Sequence, residues 1–196
     1  MSNHTILGID PGIAGTGLAV LGLGRRLTVV ELASVRTLPT ARKAKLRQAD
    51  DDATRLRVIL AALDDILDRH RPVVLAYEAP LGSKGVRAAK SLAYVIGGVV
   101  AVAAQRNIPA LAVFPAEAKL VATGSKTASK AEVEAGLRKR FALDGVAPVA
   151  KVDREHAFDA LAVALVARES EVVVAMLRFA AQSARGLIHL VEEVEP

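Results

Sequence analysis

The order of the apolar runs constrains the fold of this 196-residue chain more than any other feature. Three β-rich runs come first, at residues 5–10, 16–22 and 27–37, and glycine-containing connections separate them. Short runs joined in this way predict an antiparallel three-stranded meander. Helix-like and strand-like segments then alternate along the chain, and this order predicts an α/β fold with a mixed sheet.

The later elements are predicted from apolar spacing, turn residues and capping patterns. Apolar residues at helical spacing predict a helix over 51–70 that stops before Pro72. Two further strands are expected at 73–78 and 110–114, and helices at 85–107, 115–122, 129–141 and from Asp153, as the N-cap, onward. The result is a five-stranded sheet, an antiparallel meander plus parallel strands, flanked by helices.

Composition excludes several classes of protein. The chain has 52% hydrophobic residues, enough for one core of ordinary size, and it has no cysteine, which excludes disulfides and thiolate metal sites. It shows no secretory signal pattern and no uninterrupted apolar run of membrane-spanning length. We therefore expect a cytoplasmic protein without a membrane partner, in which any metal is bound by oxygen or imidazole.

Charge is distributed unevenly along the chain. The formal net charge is +5, yet the last 28 residues carry five acidic and two basic side chains. The sequence therefore predicts a basic main domain over residues 1–168 and an acidic, helical C-terminal extension over 169–196. A basic domain fits a nucleic-acid partner, although many other enzymes are equally basic.

Three carboxylates occupy positions where polar residues meet the predicted core. Asp10 and Glu78 end strands, and Asp159 stands near the start of a buried helix. If the two strands are neighbours and the helix crosses them, the carboxylates converge, and divalent cations such as Mg²⁺ or Mn²⁺ would offset their repulsion. His156, three residues before Asp159, shares its helix face. Taken singly, each residue also fits a structural role, as does the nearby Glu155 in the first helical turn.

Five segments resemble the RuvC family of Holliday-junction resolvases, within the ribonuclease H-like superfamily. They are ILGIDPGIAGTGLAVL, RLRVILAALDDILDRHRPVVLAYE, AAKSLAYVIGGVVAVAA, FPAEAKLVATGSKTASKAEV and HAFDALAVAL, in the family's order over residues 5–167. Sugar kinases and actin-like ATPases share the Asp-Pro-Gly opening, whereas the fourth-strand Glu with His-x-x-Asp on the last helix is more specific. The resemblance implies a ribonuclease H-like fold and metal-dependent hydrolysis of DNA at a four-way junction.

The resemblance also implies roles for individual residues. The implied metal ligands, which are also catalytic residues, are Asp10, Glu78, His156 and Asp159. They would hold two Mg²⁺ ions, with Mn²⁺ able to substitute, and Asp10 would bridge both. The family's two functional lysines fall on Lys119 and Lys130, with Lys119 as a catalytic residue near the scissile phosphate; a solvated helix lysine is the alternative. Leu81 stands where many members carry an aromatic residue that touches bases.

Basic residues near the predicted site are candidates for DNA binding. They are Lys84, Arg87, Lys90, Lys119, Lys126 and Lys130. The first three are spaced three apart at the start of the long helix and form one stripe, and the last two flank a Gly-Ser-Thr loop. Residues 40–47 are either a further basic contact or a solvated linker. With few aromatic residues, recognition of junction shape and backbone is favoured over base stacking.

The expected partners follow from the symmetry of the substrate. A four-way junction is approximately twofold symmetric, so paired cuts call for a homodimer. The Ala/Gly/Val-rich face of residues 92–104 either contacts such a partner or packs on the sheet. A branch-migration motor is a further candidate partner.

Two other functions remain open on the sequence. One is a related nuclease that cuts other branched DNA or structured RNA with the same metal chemistry. The other is an actin-like or sugar-kinase-type phosphotransferase, which would use Asp10 and the glycine turn to hold nucleotide phosphates; that fold needs two such domains, and this chain is too short. A junction-binding scaffold with a vestigial site is disfavoured because all four ligand types are present.

Overall fold

A computed structural model of the chain describes residues 4–40, 47–79, 82, 85–143, 145–146 and 150–179. Five strands form one sheet in the order β3-β2-β1-β4-β5. The strands are β1 (Thr5–Asp10), β2 (Gly15–Leu23), β3 (Leu27–Arg36), β4 (Val74–Glu78) and β5 (Ala110–Val113). The first three pair antiparallel, while β4 pairs parallel with both β1 and β5. The predicted mixed sheet, a meander extended by parallel strands, is confirmed.

Helices cover both faces of the sheet. The helices are α1 (Gln48–His70), α2 (Val86–Gln105), α3 (Pro115–Thr123), α4 (Lys130–Arg140) and α5 (Lys151–Glu169). One core lies between the sheet and α1 and α2. The other lies on the opposite face, where α5 packs on the sheet and α3 and α4 pack against α5. Because side chains alternate along a strand, β1 and β4, the central strand pair, each contribute residues to both cores.

Helix α5 approaches the sheet unusually closely because glycines face it. A Cβ added at Gly8 would lie 2.1 Å from the Ala160 carbonyl oxygen, and one at Gly17 would lie 1.9 Å from the carbonyl oxygen of His156. Both distances are far inside van der Waals contact, so only glycine permits this packing. The strand glycines therefore set the distance between the sheet and the helix that carries His156 and Asp159.

The start of α5 corrects one prediction. Asp153 is not its N-cap, because the helix begins at Lys151 and Ala150 occupies the capping position without a side-chain hydrogen bond. Asp153 lies in the first turn, where its carboxylate is 3.8 Å from Arg36 Nε. A negative charge in the first turn interacts favourably with the helix dipole. An aspartate is thus favoured there as well as at the N-cap, and this is why the sequence suggested Asp153 as the cap.

Helix α2 is buried along one stripe and exposed along the other. Among the described residues it is the one helix long and apolar enough to cross a membrane, by length and composition alone. Val95, Val99 and Ala103 pack in the core, yet only 28% of its most apolar stretch is buried. Burial on the sheet, one of the two interpretations of the 92–104 segment, is therefore confirmed for one face of the helix, and the opposite face is exposed.

Residues 171–179 are helical and follow a break at Ser170. Val173 is completely buried in the core around α5, so the first part of the predicted extension packs on the main domain. The remaining residues of that extension, 180–196, lie outside the described part of the chain, as do residues 41–46 of the basic segment.

Candidate active site

Asp10 and Glu78 lie side by side at the carboxyl end of the central strand pair. In the parallel pairing of β1 with β4, Ile9 is opposite Tyr77, so Asp10 and Glu78 are the next residues along the two strands. Gly8, two residues before Asp10, packs against α5. Because side chains alternate in direction along a strand, the two carboxylates face α5 as well.

Helix α5 supplies the other two predicted ligands to the same edge of the sheet. His156 Nδ1 lies 2.7 Å from Asp10 Oδ2, within hydrogen-bond distance. One turn further along, Asp159 Oδ2 accepts a hydrogen bond from Lys130 Nζ at 3.0 Å. The nearly continuous burial of the following helix residues fixes the position of these side chains. The four predicted ligands are therefore gathered at one site.

Two of the carboxylates are held at unusual pKa values. Burial raises the pKa of Glu78 to about 7, and the negative charges of Asp10 and Asp159 act in the same direction. Burial and the charge of Asp10 likewise raise the pKa of Asp159. The hydrogen bond to Asp10 raises the pKa of His156, because it favours the protonated imidazole. The repulsion between these carboxylates is of the kind that a bound cation would offset.

Two lysines line the wall of this site. Lys119 from α3 and Lys130 from α4 border a cavity of about 150 Å³ together with Glu78 and Asp159. Lys130 Nζ also lies 3.8 Å from Glu155 Oε2, which gives that glutamate a role as a second partner for the ammonium group. The positive charges of both lysines act to lower the pKa of Glu78, although burial outweighs them.

The donor set fits Mg²⁺ or Mn²⁺. Three carboxylates and one imidazole offer hard oxygen ligands and a nitrogen that Mn²⁺ accepts well. Across the part of the chain that the structure describes, no three His, Asp or Glu side chains close around one point as metal ligands. The His156–Asp10 hydrogen bond and the Lys130–Asp159 ion pair hold these groups instead.

The remaining predicted DNA-binding residues lie farther along the surface. A groove of about 780 Å³ extends from His156 past the β1–β2 turn to the first turns of α1 and α2, and Arg87 lines it. Lys90 lies on an adjoining cavity wall, and Lys126 is exposed on the loop between α3 and α4. Lys84 and Leu81 lie outside the described residues.

Sequence reasoning missed two sets of residues that shape the site. The glycines of β1 and β2 bring α5 close, and their signal was available, since glycine inside a strand indicates close backbone approach. The second set is a buried polar network around Arg55, whose side chain is 11% exposed. Its residues lie in a charged stretch that is typical of a solvated helix face, so no sequence signal distinguished them.

Comparison with known proteins assigns this chain to a family. A family model described as crossover junction endodeoxyribonuclease RuvC matches residues 6–167. The chain belongs to the RuvC family. The RuvC protein of Paenarthrobacter aurescens is 38% identical over 162 residues, which cover 82% of this chain and 78% of that protein. The RuvC protein of Frankia alni is 35% identical over 182 residues, covering 91% and 85%.

Solved structures agree with the family assignment. Thermus thermophilus RuvC in complex with a Holliday-junction substrate superposes with a TM-score of 0.68 at 27% identity, covering 83% of this chain and 92% of that one. The yeast mitochondrial Holliday-junction resolvase Ydc2 shares the fold, with a TM-score of 0.59 at 14% identity. The predicted ribonuclease H-like fold class and the predicted family are confirmed. Membership of a nuclease family favours the nuclease interpretation over the phosphotransferase one.

The pKa of Glu78 leads to a prediction for the metal-free protein. The pKa of Glu78 rises from 4.5, its ordinary value, to about 7 in the folded protein. A carboxyl with a raised pKa makes folding less favourable as the pH rises from the ordinary pKa to the folded one. With EDTA present, we expect the melting temperature of the wild type to fall between pH 5 and pH 8 more than that of Glu78→Gln. Added Mg²⁺ should raise the wild-type melting temperature more at pH 8 than at pH 5, because the ion binds the ionised carboxylate. Differential scanning calorimetry measures both, and identical pH profiles for the two proteins would contradict the prediction.

Proposed function

We propose that this protein resolves four-way DNA junctions by metal-dependent hydrolysis of one phosphodiester bond in each of two strands. The observation that carries the proposal is the convergence of Asp10, Glu78 and Asp159 at one edge of the sheet, in a family of crossover junction nucleases. Two of these carboxyls have raised pKa values, as expected for a site that holds cations.

The proposed metal ligands are Asp10, Glu78, His156 and Asp159. Two Mg²⁺ ions held there, or Mn²⁺ in their place, would activate the attacking water and stabilise the leaving oxygen. Asp10 would be the central ligand of the set, as the family resemblance implies, since it contacts His156 directly and its charge acts on both Glu78 and Asp159. Lys119, on the cavity wall beside Glu78, would hold the negative charge of the scissile phosphate.

DNA would reach these residues along the groove between the β1–β2 turn and the first turns of α1 and α2. Arg87 lines this groove, and Lys90 lies one turn further along α2. We propose that both contact phosphates, together with Lys84, and that Lys126 and Lys130 contact DNA from the other side of the site. In this arrangement the carboxylates lie between two basic surfaces.

The exposed face of α2 is the proposed contact with a second copy of the chain. Small residues at helical spacing, namely Ala93, Gly97, Ala101 and Ala104, are exposed along it, and Tyr94 beside them is 44% exposed. Small side chains allow two helices to approach closely. A twofold dimer through this face would present two active sites to a twofold-symmetric junction.

Three further parts of the proposal rest on sequence. They are the division into a nuclease domain over 1–168 and an extension over 169–196, a cytoplasmic location, and a branch-migration motor as a partner. Each stays a prediction.

Kinetic measurements should distinguish Lys119, proposed to act at the scissile phosphate, from Arg87 and Lys90, proposed to bind the DNA backbone. Lys119→Ala should lower the single-turnover cleavage rate at saturating protein by about a hundredfold, since it removes charge stabilisation at the reacting phosphate, and leave junction affinity unchanged. The pair Arg87→Ala and Lys90→Ala should weaken binding and flatten its salt dependence by about 0.9 for each phosphate that the variant no longer neutralises, with the saturated rate preserved. If Lys119→Ala changes affinity alone, its placement at the scissile phosphate is wrong.

The proposed substrate is tested with labelled DNA. The purified protein is incubated with a four-way junction, a matched linear duplex, a three-way branch and single strands, with Mg²⁺ or with EDTA. We expect incision of the junction alone, and only with Mg²⁺. Equal incision of the three-way branch would favour a general branched-DNA nuclease instead.

A further inference from the structure

Arg55 on α1 places a nearly buried guanidinium beside the turn that follows Asp10. Its Nε donates a hydrogen bond to Thr37 Oγ1 at 2.8 Å, and its Nη2 donates to the carbonyl oxygens of Ile13, at 3.1 Å, and of Thr37, at 3.4 Å. Its Nη1 lies 3.8 Å from carboxylate oxygens of both Asp51 and Asp52. Every nitrogen of the guanidinium is therefore engaged.

The turn that Arg55 holds is attached at both ends to residues that contact His156. Asp10, before the turn, is hydrogen-bonded to His156 Nδ1 at 2.7 Å. Gly15, after the turn, is so close to the other side of the imidazole that an added Cβ would lie 2.8 Å from Nε2. The position of residues 11–14 thus determines where the Asp10 carboxylate and the His156 ring meet.

Thr37 is the second residue that holds this turn by hydrogen bonds. Its hydroxyl donates to the Ile13 carbonyl, and its amide donates to the Ala14 carbonyl at 3.2 Å. The Ile13 carbonyl consequently accepts from both Thr37 and Arg55. Arg55 bonds both to the turn and to Thr37, so removal of its donors would leave the turn held from this side by Thr37 alone, and Thr37 would lose its own partner.

The network continues from Arg55 to the helix that carries the basic stripe. Asp52 is 5% exposed, and its Oδ2 accepts a hydrogen bond from Ser91 Oγ of α2 at 2.8 Å. Arg87 lies one turn before Ser91 on the same helix and lines the same groove as Arg55. Polar contacts therefore connect α2 to the turn after Asp10 without a break, from Ser91 through Asp52 and Arg55 to the Ile13 carbonyl.

We infer that Arg55 is a positioning residue for the metal-binding end of the active site, acting through the Ile13 carbonyl on the Asp10–His156 pair. The inference deepens the proposed function and rests on it. Arg55 acts through groups of the protein, because every nitrogen of its guanidinium is engaged by Thr37, Ile13, Asp51 or Asp52. Its effect is to fix the turn, and small displacements of ligands weaken both metal binding and catalysis.

The test compares variants of the full-length protein. Arg55→Lys keeps the charge but cannot donate from a planar fork to Thr37 and Ile13 together. Thr37→Val is nearly isosteric and removes the hydroxyl that bonds to both Arg55 and the Ile13 carbonyl. This second variant tests the same network if Arg55→Lys fails to fold. Arg69→Lys is the matched control, because it disturbs an exposed guanidinium on the same helix that pairs with Glu31 and Asp65.

Mn²⁺ binding to the DNA-free protein, followed by electron paramagnetic resonance, is the decisive readout. We expect Arg55→Lys to bind Mn²⁺ about 10- to 100-fold more weakly and to need correspondingly more metal for half-maximal cleavage, with junction affinity unchanged. Excess Mn²⁺ should restore much of the rate, and Arg69→Lys should match the wild type.

Wild-type Mn²⁺ affinity in Arg55→Lys and Thr37→Val, with only a lowered melting temperature, would overturn the inference. The outcome is separable from that of the proposed function. If the wild type binds Mn²⁺ but does not cut junctions, the proposed function fails, while the titration of the variants still decides the role of Arg55.

Discussion

Asp10→Asn is expected to abolish junction cleavage and to leave junction binding intact or tighter. The substitution removes one negative charge from the centre of the carboxylate cluster. Burial raises the pKa of Glu78 to about 7, and the charge of Asp10 contributes to this rise. Asparagine keeps an oxygen that can accept from His156, so the strand end should retain its structure. Removal of a metal ligand costs several kcal/mol of transition-state stabilisation, a factor of about a thousand or more in rate.

Single-turnover cleavage and a gel-shift titration of the same junction measure the two quantities. Asp50→Asn is a suitable control, because Asp50 is an exposed carboxylate in the first turn of α1. Incision by Asp10→Asn at a rate near that of the control would contradict the assignment of Asp10 as a metal ligand.

Gly17→Ala should damage both stability and catalysis. The new methyl group would lie 1.9 Å from the carbonyl oxygen of His156, so α5 must move away from the sheet by about an ångström at the residue that contacts Asp10. Overpacking of this kind costs about 1–3 kcal/mol, which lowers the melting temperature of a domain of this size by about 2–12 °C. Because about 1 Å of misplacement can cost a hundredfold in rate, we expect a reduction of that order.

Gly24→Ala provides the matched control in the same hairpin. An added Cβ there meets only the Arg26 carbonyl oxygen at 3.5 Å, an ordinary contact. Calorimetry and single-turnover cleavage should show no change for this variant. If Gly17→Ala behaves like Gly24→Ala, the close approach of α5 does not control the site.

The elements and the site's location were predictable because they follow from local patterns. Short β-rich runs joined by glycine-containing turns identify the meander, and apolar residues at helical spacing identify α1. Asp10 and Glu78 converge because the carboxyl ends of adjacent parallel strands meet at one edge of a sheet. The i, i+3 spacing of His156 and Asp159 then brings both side chains to the same edge of the sheet once α5 packs there.

Features that depend on tertiary contacts were not predictable from the same patterns. Lys130 pairs with Asp159, 29 residues away, only because α4 packs on α5. Arg55 and Asp52 lie in a run of charged residues, and the contacts that engage them come from Thr37 and from Ser91 of α2, which are distant in sequence. The exposed face of α2 has the composition of a core helix, so sequence alone could not decide which stripe is buried.

The most direct test of the central claim is whether the two cuts are paired. A supercoiled plasmid that extrudes a cruciform presents one four-way junction, and two coordinated incisions across it produce a linear molecule. With Mg²⁺, the wild-type protein should convert this plasmid to the linear form without accumulating nicked circles, and it should leave a plasmid without the inverted repeat intact. Nicked circles as the main product, or equal cutting of both plasmids, would contradict resolution by a twofold pair of metal-dependent sites.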